Sequence, residues 1–123
     1  MGRYLRVAAV AVVAACAAAS MAEASPRMVS ATPTPGGVVK SAPSSIRVNF
    51  SEPVAEALTG AAMANDKGQP QTMGKAKLNG NNIRQIVVPI TSKLTPGTYT
   101  VLWHAVGGDG ARVDGTFQFE FKP

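Results

Sequence analysis

Between Lys93 and Phe121 the apolar and polar positions alternate with a period of two, the pattern of β-strands that bury one face. A glycine-rich stretch, Gly107-Gly108-Asp109-Gly110, divides this region into two runs and presents the carboxylate of Asp109. The apolar side of the two runs includes Tyr99, Val101, Trp103, Phe117 and Phe119. We predict a hairpin-like pair of strands with an aromatic inner face, which the rest of the chain must cover.

A tight turn precedes the first of these strands. In Thr95-Pro96-Gly97-Thr98 the proline presets φ at the second position, and the glycine accepts positive φ at the third. Tyr99 follows this turn, where a tyrosine-corner hydrogen bond is expected. The tyrosine hydroxyl is therefore predicted to be structural rather than catalytic.

Shorter segments of the same alternating kind come earlier in the chain. Ile46, Val48 and Phe50 predict a half-buried strand, which Glu52-Pro53 interrupts. After it, Ala57 and Leu58 are compatible with one helical turn, and the residues from 59 to 64 predict another strand.

A second hairpin is predicted in the middle of the chain. Thr72 to Leu78 and Ile83 to Ile90 are two candidate strands, joined around Asn79-Gly80-Asn81-Asn82. Pro89 has no N–H to donate, so we expect it at an edge or at a strand end.

The number and spacing of these segments predict the fold class. About seven short strands, with turn signals every eight to twelve residues, are typical of an immunoglobulin-like β-sandwich. We therefore predict an all-β, Greek-key sandwich that forms a single domain. Its expected core consists of Ile46, Val48, Phe50, Leu58, Ile86, Val88, Ile90, Tyr99, Val101, Trp103, Phe117 and Phe119.

The first 24 residues have the pattern of a secretory signal peptide. Arg3 and Arg6 form a basic end, an alanine- and valine-rich run follows, and Ala22-Glu23-Ala24 is a small-x-small cleavage site. The run is too short and too rich in alanine for a typical membrane-spanning helix. We predict a signal peptide at 1–24 and a β-sandwich domain at 25–123.

An alternative start remains open. Val13-Ala14-Ala15-Cys16 resembles a bacterial lipobox, in which Cys16 would be lipidated and would become the mature N-terminus. In either case the exported domain contains no free cysteine, so cysteine chemistry and disulfides are excluded there.

Charge and motifs narrow the function classes. Without residues 1–24 the chain keeps ten basic and six acidic side chains, a net charge of +4, and the cations are scattered along the sequence. Scattered cations without interleaved aromatics argue against nucleic-acid binding. His104 is the single histidine, and no nucleophile-elbow pattern accompanies it, which argues against a Ser-His-Asp triad. The glycine-rich stretch joins strand to strand, whereas a phosphate-binding glycine loop leads into a helix. We predict that the protein is not an enzyme.

Several motifs together resemble the CopC-type proteins, small exported copper-binding β-sandwiches of bacterial copper resistance and homeostasis. The resemblance extends over essentially the whole predicted mature chain. The motifs, in the order in which the family has them, are Ser30-Ala31-Thr32-Pro33 with Gly36, Phe50-Ser51-Glu52-Pro53-Val54, Leu94-Thr95-Pro96-Gly97-Thr98-Tyr99-Thr100-Val101-Leu102-Trp103, Asp109-Gly110 and Gly115-Thr116-Phe117.

The resemblance implies a copper site and also shows what is missing from it. The family's Cu(II) site uses an N-terminal histidine, an aspartate and a histidine of a D-x-H loop, and in some members the glutamate of an FSE motif. In this sequence the aspartate corresponds to Asp109 and the glutamate to Glu52, whereas Ser25 and Ala111 hold the two histidine positions. A tetragonal N/O donor set suits Cu(II), and loss of both imidazoles predicts a weakened site.

Imidazole and thioether side chains are two further donor types in the sequence. His104 is out of phase with the core and is five residues before Asp109, so it is a candidate replacement donor. The family's methionine-rich Cu(I) loop is not evident, because Met28, Met63 and Met73 do not cluster in sequence and lone methionines usually fill cores. The candidate ligands are therefore Asp109, Glu52, Ser25 and His104, with Cu(II) as the expected ion.

Two functions from different classes remain. The first is an exported, periplasmic copper carrier or buffer of CopC type with a degenerate Cu(II) site, and its expected partner is a membrane copper transporter. The second is a β-sandwich interaction module that keeps the fold and binds no metal.

Overall fold

The computed structural model describes residues 25–123, which form two four-stranded β-sheets packed face to face. The strands are β1 (Met28–Thr32), β2 (Val38–Val39), β3 (Ser45–Phe50), β4 (Gly60–Ala64), β5 (Lys77–Asn79), β6 (Asn82–Pro89), β7 (Gly97–Val106) and β8 (Arg112–Phe121). One 3₁₀ turn spans Glu56–Leu58. The predicted signal peptide and the lipobox at Cys16 lie outside the described residues.

Each sheet contains four strands, and one strand pair differs from the others in direction. One sheet has the order β1-β3-β6-β5, and the other has the order β2-β8-β7-β4. All neighbours are antiparallel except β2 and β8, which pair in parallel. This arrangement confirms the predicted all-β, immunoglobulin-like sandwich.

The predicted pair of long strands is present as β7 and β8. Their register runs without interruption from Gly97 opposite Phe121 to Val106 opposite Arg112. Tyr99 stacks on Phe119 with 5.5 Å between ring centroids, and Trp103 meets Phe50 of the facing sheet edge-on at 5.4 Å. These aromatic contacts fill the space between the sheets, as the alternating pattern predicted.

The tyrosine corner is also confirmed. The Tyr99 hydroxyl donates to the Thr95 carbonyl oxygen at 2.6 Å and accepts from the Thr95 N–H at 2.9 Å. Both bonds tie the start of β7 to the preceding turn, so the hydroxyl has a structural role.

Two local predictions are wrong. Leu58 was expected in the core, but it is 58% exposed on the 3₁₀ turn. Thr59 is buried instead, because its Oγ1 accepts the Val106 N–H from β7 at 3.3 Å. The other error concerns residues 72–78, where only the last two belong to a strand.

The shortened strand has a physical cause at Pro89. Gly74 donates its N–H to the Pro89 carbonyl at 2.8 Å, and an isolated bridge joins Met73 to Ile90. Because Pro89 has no N–H, the ladder cannot continue through it as a regular antiparallel pair. Regular pairing therefore begins only at Lys77 opposite Val87.

Within residues 25–123 the structure contains no helix with the length and apolar character needed to cross a membrane.

Candidate functional site

The beginning of the described chain is fixed against the loop between β7 and β8. Pro26 is fully buried and packs against Gly107, where an added Cβ would lie 2.8 Å from Pro26 Cδ. Such a contact is shorter than side-chain carbons tolerate, so any residue larger than glycine at 107 would push the chain start away from the loop. The close approach of these two residues determines where Ser25 lies.

Two hydrogen bonds with Ser51 hold the same segment on its other side. The Arg27 N–H donates to Ser51 Oγ at 3.0 Å, and the Ser51 N–H donates to the Arg27 carbonyl at 2.8 Å. Ser51 directly follows β3, so this pair extends the β1–β3 pairing beyond Met28 opposite Phe50. The residues before β1 are thus fixed by both sheets.

Asp109 stands at the tip of a compact loop. The Gly110 N–H donates to the Gly107 carbonyl at 3.1 Å, and Gly110 adopts a positive φ of 79°. Asp109 Oδ1 accepts the Ala111 N–H at 3.1 Å, an Asx-type contact that orients the carboxylate. The second oxygen, Oδ2, is left to face Ser25.

The structure brings two of the four predicted ligands together. Ser25 Oγ lies 3.4 Å from Asp109 Oδ2 and donates a long hydrogen bond to it. Asp109 is exposed and Ser25 is half-buried, so the pair is open to solvent on one side. The carboxylate therefore combines a turn-stabilising oxygen with one that faces the start of the chain.

Glu52 lies on the adjoining segment. It directly follows Ser51, the hydrogen-bond partner of Arg27, and it is half-buried. The next residues reach back toward the same end of the sandwich, where the Ala55 N–H donates to the Val106 carbonyl at 2.9 Å. Glu52 therefore lies at the same end of the described domain as Ser25 and Asp109, and it forms no hydrogen bond with either side chain.

His104 belongs to different surroundings. It lies on the outer face of β7, half-buried, opposite Gly60 on β4 and opposite Asp114 on β8. An added Cβ on Gly60 would be 3.2 Å from His104 Cε1, so the imidazole covers that glycine. The structure thus places His104 with Asp114 rather than with the Ser25–Asp109 pair.

The charges next to His104 are already engaged. Arg112 forms a salt bridge to Asp114 with 2.9 Å between Nη2 and Oδ1. The hydrogen bond from Arg112 lowers the pKa of the Asp114 carboxyl, and Arg112 and His104 add Coulombic attraction in the same direction. The same hydrogen bond and charge raise the pKa of Arg112.

The methionines occupy packing positions. Met63 is buried at 2% exposure, whereas Met28 and Met73 are half-buried and pack against the core cluster. The three side chains belong to different strands or bridges, in keeping with their expected role as filler.

The donor chemistry of the site end is dominated by oxygen. Ser25 Oγ and the Asp109 carboxylate are hard donors, and a free Ser25 amine would add one nitrogen. Among the described residues no three His, Cys, Asp or Glu side chains gather closely enough to hold a metal ion. A tight tetragonal Cu(II) site would need further nitrogen donors at this place.

Sequence reasoning missed the residues that build the site. Pro26 and Gly107 are 81 positions apart, and neither belongs to an alternating pattern that signals a contact. Ser51 belongs to the Phe50-Ser51-Glu52-Pro53 motif, but the motif does not predict its hydrogen bonds to Arg27.

The chain is similar to several known proteins, two of which are named for copper resistance. A family model described as "CopC domain" matches residues 28–122. Protein YobA of Escherichia coli strain K12 is 38% identical over 90 residues, 73% of each chain. Copper resistance protein C of Pseudomonas syringae pv. tomato is 33% identical over 108 residues, covering 84% of this chain and 85% of that protein. The crystal structure of PcoC, a methionine-rich copper resistance protein from Escherichia coli, has a TM-score of 0.70 at 28% identity and covers 79% of this chain and 98% of its own. The region matched by the family model includes every strand that the structure describes.

Proposed function

The chain belongs to the CopC family, and we propose that it is an exported copper-binding protein that serves as a carrier or buffer in periplasmic copper homeostasis. The names of its relatives support a copper-related function, since copper resistance protein C and PcoC are both named for copper resistance. The pattern of residues 1–24 supports export.

The observation that carries this proposal is the contact of Ser25 with Asp109. Two residues 84 positions apart in sequence lie within 3.4 Å at the end of the sandwich. Both correspond to ligand positions in the resemblance to the family. This contact supports a scaffold that brings an N-terminal donor to the loop carboxylate, although Ser25 stands where the family has its N-terminal histidine.

We propose a degenerate Cu(II) site at this end of the domain. Its donors would be Asp109 Oδ2, the hydroxyl of Ser25 and, after cleavage behind Ala24, the Ser25 amine. Glu52 would join from the neighbouring segment. Oxygen and amine donors favour Cu(II) over Cu(I), which prefers thioether and thiolate sulfur.

Pro26 limits the nitrogen supply at this site. A second residue with an N–H could lose its proton and bind copper through the backbone nitrogen, as open N-terminal chelates do. Proline has no such proton, so the amine is the one nitrogen that the chain start would offer. Copper would bind more weakly here than at a site with two imidazoles, which suits a carrier or buffer that releases its ion to a membrane copper transporter.

The experiment is a Cu(II) titration of the exported protein, with its N-terminus defined by intact mass. Trp103 is the single tryptophan and reports binding by fluorescence quenching. Asp109→Asn keeps the oxygen that accepts the Ala111 N–H and removes the charge, so it should weaken binding by about tenfold or more, or about 1.4 kcal/mol.

Two variants locate the site. Asp66→Asn removes an exposed carboxylate near Gly97 and should leave the affinity unchanged. His104→Ala tests the fourth candidate ligand. If His104 is a replacement donor, this variant should bind Cu(II) more weakly than the wild-type protein. If His104→Ala weakens binding and Asp109→Asn does not, the ion binds beside Asp114 and the proposed site is wrong. If the wild-type protein binds no Cu(II), the fold serves the second function, that of a metal-free interaction module.

A further inference from the structure

The outer face of the sheet β1-β3-β6-β5 carries cations in cross-strand register. Val87 of β6 pairs with Arg47 of β3 on one side and with Lys77 of β5 on the other. Paired residues in neighbouring strands direct their side chains to the same face. Ile86 and Val88 are buried toward the core, so Val87, Arg47 and Lys77 belong to the outward face.

A third cation and several apolar side chains complete a groove at this position. Lys75 lies just before β5, and it lines the same depression as Arg47 and Lys77. The groove has a volume of about 470 Å³. Its other lining residues are Leu78, Asn79, Val87 and Pro89. We refer to this depression, lined by Arg47, Lys75 and Lys77, as the basic groove.

Among residues 25–123, no salt bridge joins Arg47, Lys75 or Lys77 to a carboxylate. The salt bridge recorded within residues 25–123 is that of Arg112 with Asp114, on the other sheet. The Glu56 carboxylate lies at the edge of β5, where its Oε2 accepts the backbone N–H of Leu78 at 2.8 Å. All three cations are exposed, so the groove presents net positive charge to solvent.

We propose that the basic groove is a docking surface for an acidic segment of a partner protein. Charge complementarity identifies the partner, because three unpaired cations attract carboxylates and the guanidinium of Arg47 can bind one with two hydrogen bonds. The apolar side chains of Val87 and Pro89 offer contact area between the charges, the mixed composition of protein interfaces. Anionic lipid surfaces are typically bound by about four to eight clustered cations, more than the three here.

This docking surface lies apart from the proposed copper site. The groove is on the outer face of one sheet, whereas Ser25 and Asp109 are at the end of the sandwich. A partner could therefore bind the groove whether or not copper is bound, and failure of one proposal does not decide the other.

The test uses the ¹⁵N-labelled exported protein and a blocked decapeptide of alternating glutamate and valine as the acidic probe. We expect amide shifts concentrated on β5, β6 and residues 74–76, and we expect them to fade as salt is raised from about 0.02 M toward 1 M, where the Debye length falls to about 3 Å. A decapeptide of alternating lysine and valine should produce no such shifts.

Two charge-reversal variants provide the matched comparison. Lys75→Glu with Lys77→Glu should bind the acidic probe about tenfold more weakly or worse, because two attractive charges become repulsive. Lys40→Glu with Lys122→Glu makes the same change in net charge at exposed positions beside β2 and β8, and it should bind like the wild-type protein. Arg47→Gln serves as a milder variant if the double reversal alters the dispersion of the spectrum.

Three outcomes would overturn the proposal. The first is a set of amide shifts spread over the whole protein surface. The second is an equal loss of affinity for the acidic peptide in both double variants. Either result would mean that net charge alone attracts the peptide. The third is binding to vesicles of phosphatidylglycerol and phosphatidylcholine that depends on Lys75 and Lys77 while the peptide does not bind. That result would assign the groove to a lipid surface instead of a protein.

Discussion

Replacing Gly115 by alanine perturbs the contact that seats Trp103 in the core. The two residues are paired across β7 and β8. An added Cβ at 115 would overlap Trp103 Cζ2 and would lie 2.8 Å from Nε1. The indole cannot simply move away, because Trp103 is only 7% exposed and packs edge-on against Phe50. The ring or the strand pair must therefore shift.

The expected cost follows from two opposing contributions. Forcing an extra methyl group into a packed core costs about 1 to 3 kcal/mol. Replacing glycine by alanine restricts the unfolded chain and returns about 0.4 to 1 kcal/mol. The difference between the two ranges is about 0 to 2.6 kcal/mol. Because the new methyl group overlaps several atoms of the buried indole, we expect a net loss in the upper part of that range, above about 1 kcal/mol in the free energy of unfolding. Each kcal/mol lowers Tm by about 4 to 8 °C in a domain of this size.

Urea unfolding followed by far-ultraviolet circular dichroism measures this loss without relying on Trp103 fluorescence. Gly108→Ala is the matched control, because an added Cβ there meets no atom within 4 Å and Gly108 is not among the glycines with positive φ. It should change stability by less than about 0.5 kcal/mol.

A double-mutant cycle shows whether the indole is the cause. In a Trp103→Leu background the atoms that the new methyl group would meet are absent, so Gly115→Ala should cost less than about 0.5 kcal/mol there. An equal cost in both backgrounds, or no cost in the wild-type protein, would refute the reasoning about this contact.

Three further variants test other parts of the structure. Tyr99→Phe removes both hydrogen bonds to Thr95 and should lower the free energy of unfolding, measured by urea unfolding, by about 1 to 3 kcal/mol. An unchanged free energy of unfolding would mean that these hydrogen bonds do not stabilise the fold. Thr59→Val leaves the Val106 N–H without its buried acceptor and should cost about 1 to 3 kcal/mol, whereas Thr59→Ser should restore most of the loss. Arg112→Gln should raise the pKa of the Asp114 carboxyl toward the ordinary value of 3.8 in an NMR titration, because the hydrogen bond from Arg112 lowers that pKa in the folded protein. The stabilising effect of this pair is present above that pH and is lost as pH falls through the folded-state pKa. An unchanged Asp114 pKa would contradict the assigned cause.

Local patterns in the sequence predicted the strands that carry the core. The long alternation of β7 and β8, the turn at residues 79–82 and the Pro-Gly turn before Tyr99 are each formed by residues close in sequence, and the structure confirms all three. Alternation also placed His104 out of phase with Trp103, and the structure finds it half-buried on the outer face.

Contacts between distant segments could not be predicted in the same way. Leu58 follows an apolar pattern, yet a hydrogen bond from β7 to Thr59 decides which neighbouring side chain is buried. The parallel pairing of Val38 and Val39 with the end of β8 has no local signal at all.

The candidate site depended on this long-range information most of all. Resemblance to the family supplied Ser25, Glu52 and Asp109 as positions, but not their arrangement. The packing of Pro26 on Gly107, together with the hydrogen bonds between Arg27 and Ser51, explains why Ser25 lies beside Asp109. His104 was proposed because it is near Asp109 in sequence, whereas strand pairing places it opposite Asp114.

The central claim is that this domain keeps the scaffold of a copper site and lacks its imidazole donors. The most direct test compares the Cu(II) affinity of the wild-type protein with that of the Ser25→His/Ala111→His variant. Both proteins would be exported, verified by intact mass to start at residue 25, and titrated with Cu(II) against Trp103 fluorescence. We predict that the double variant binds about a hundredfold more tightly or better, equivalent to about 2.8 kcal/mol, and that adding Asp109→Asn removes most of the gain. Wild-type binding as tight as that of the double variant, or a double variant that still fails to bind, would contradict a degenerate copper site between Ser25 and Asp109.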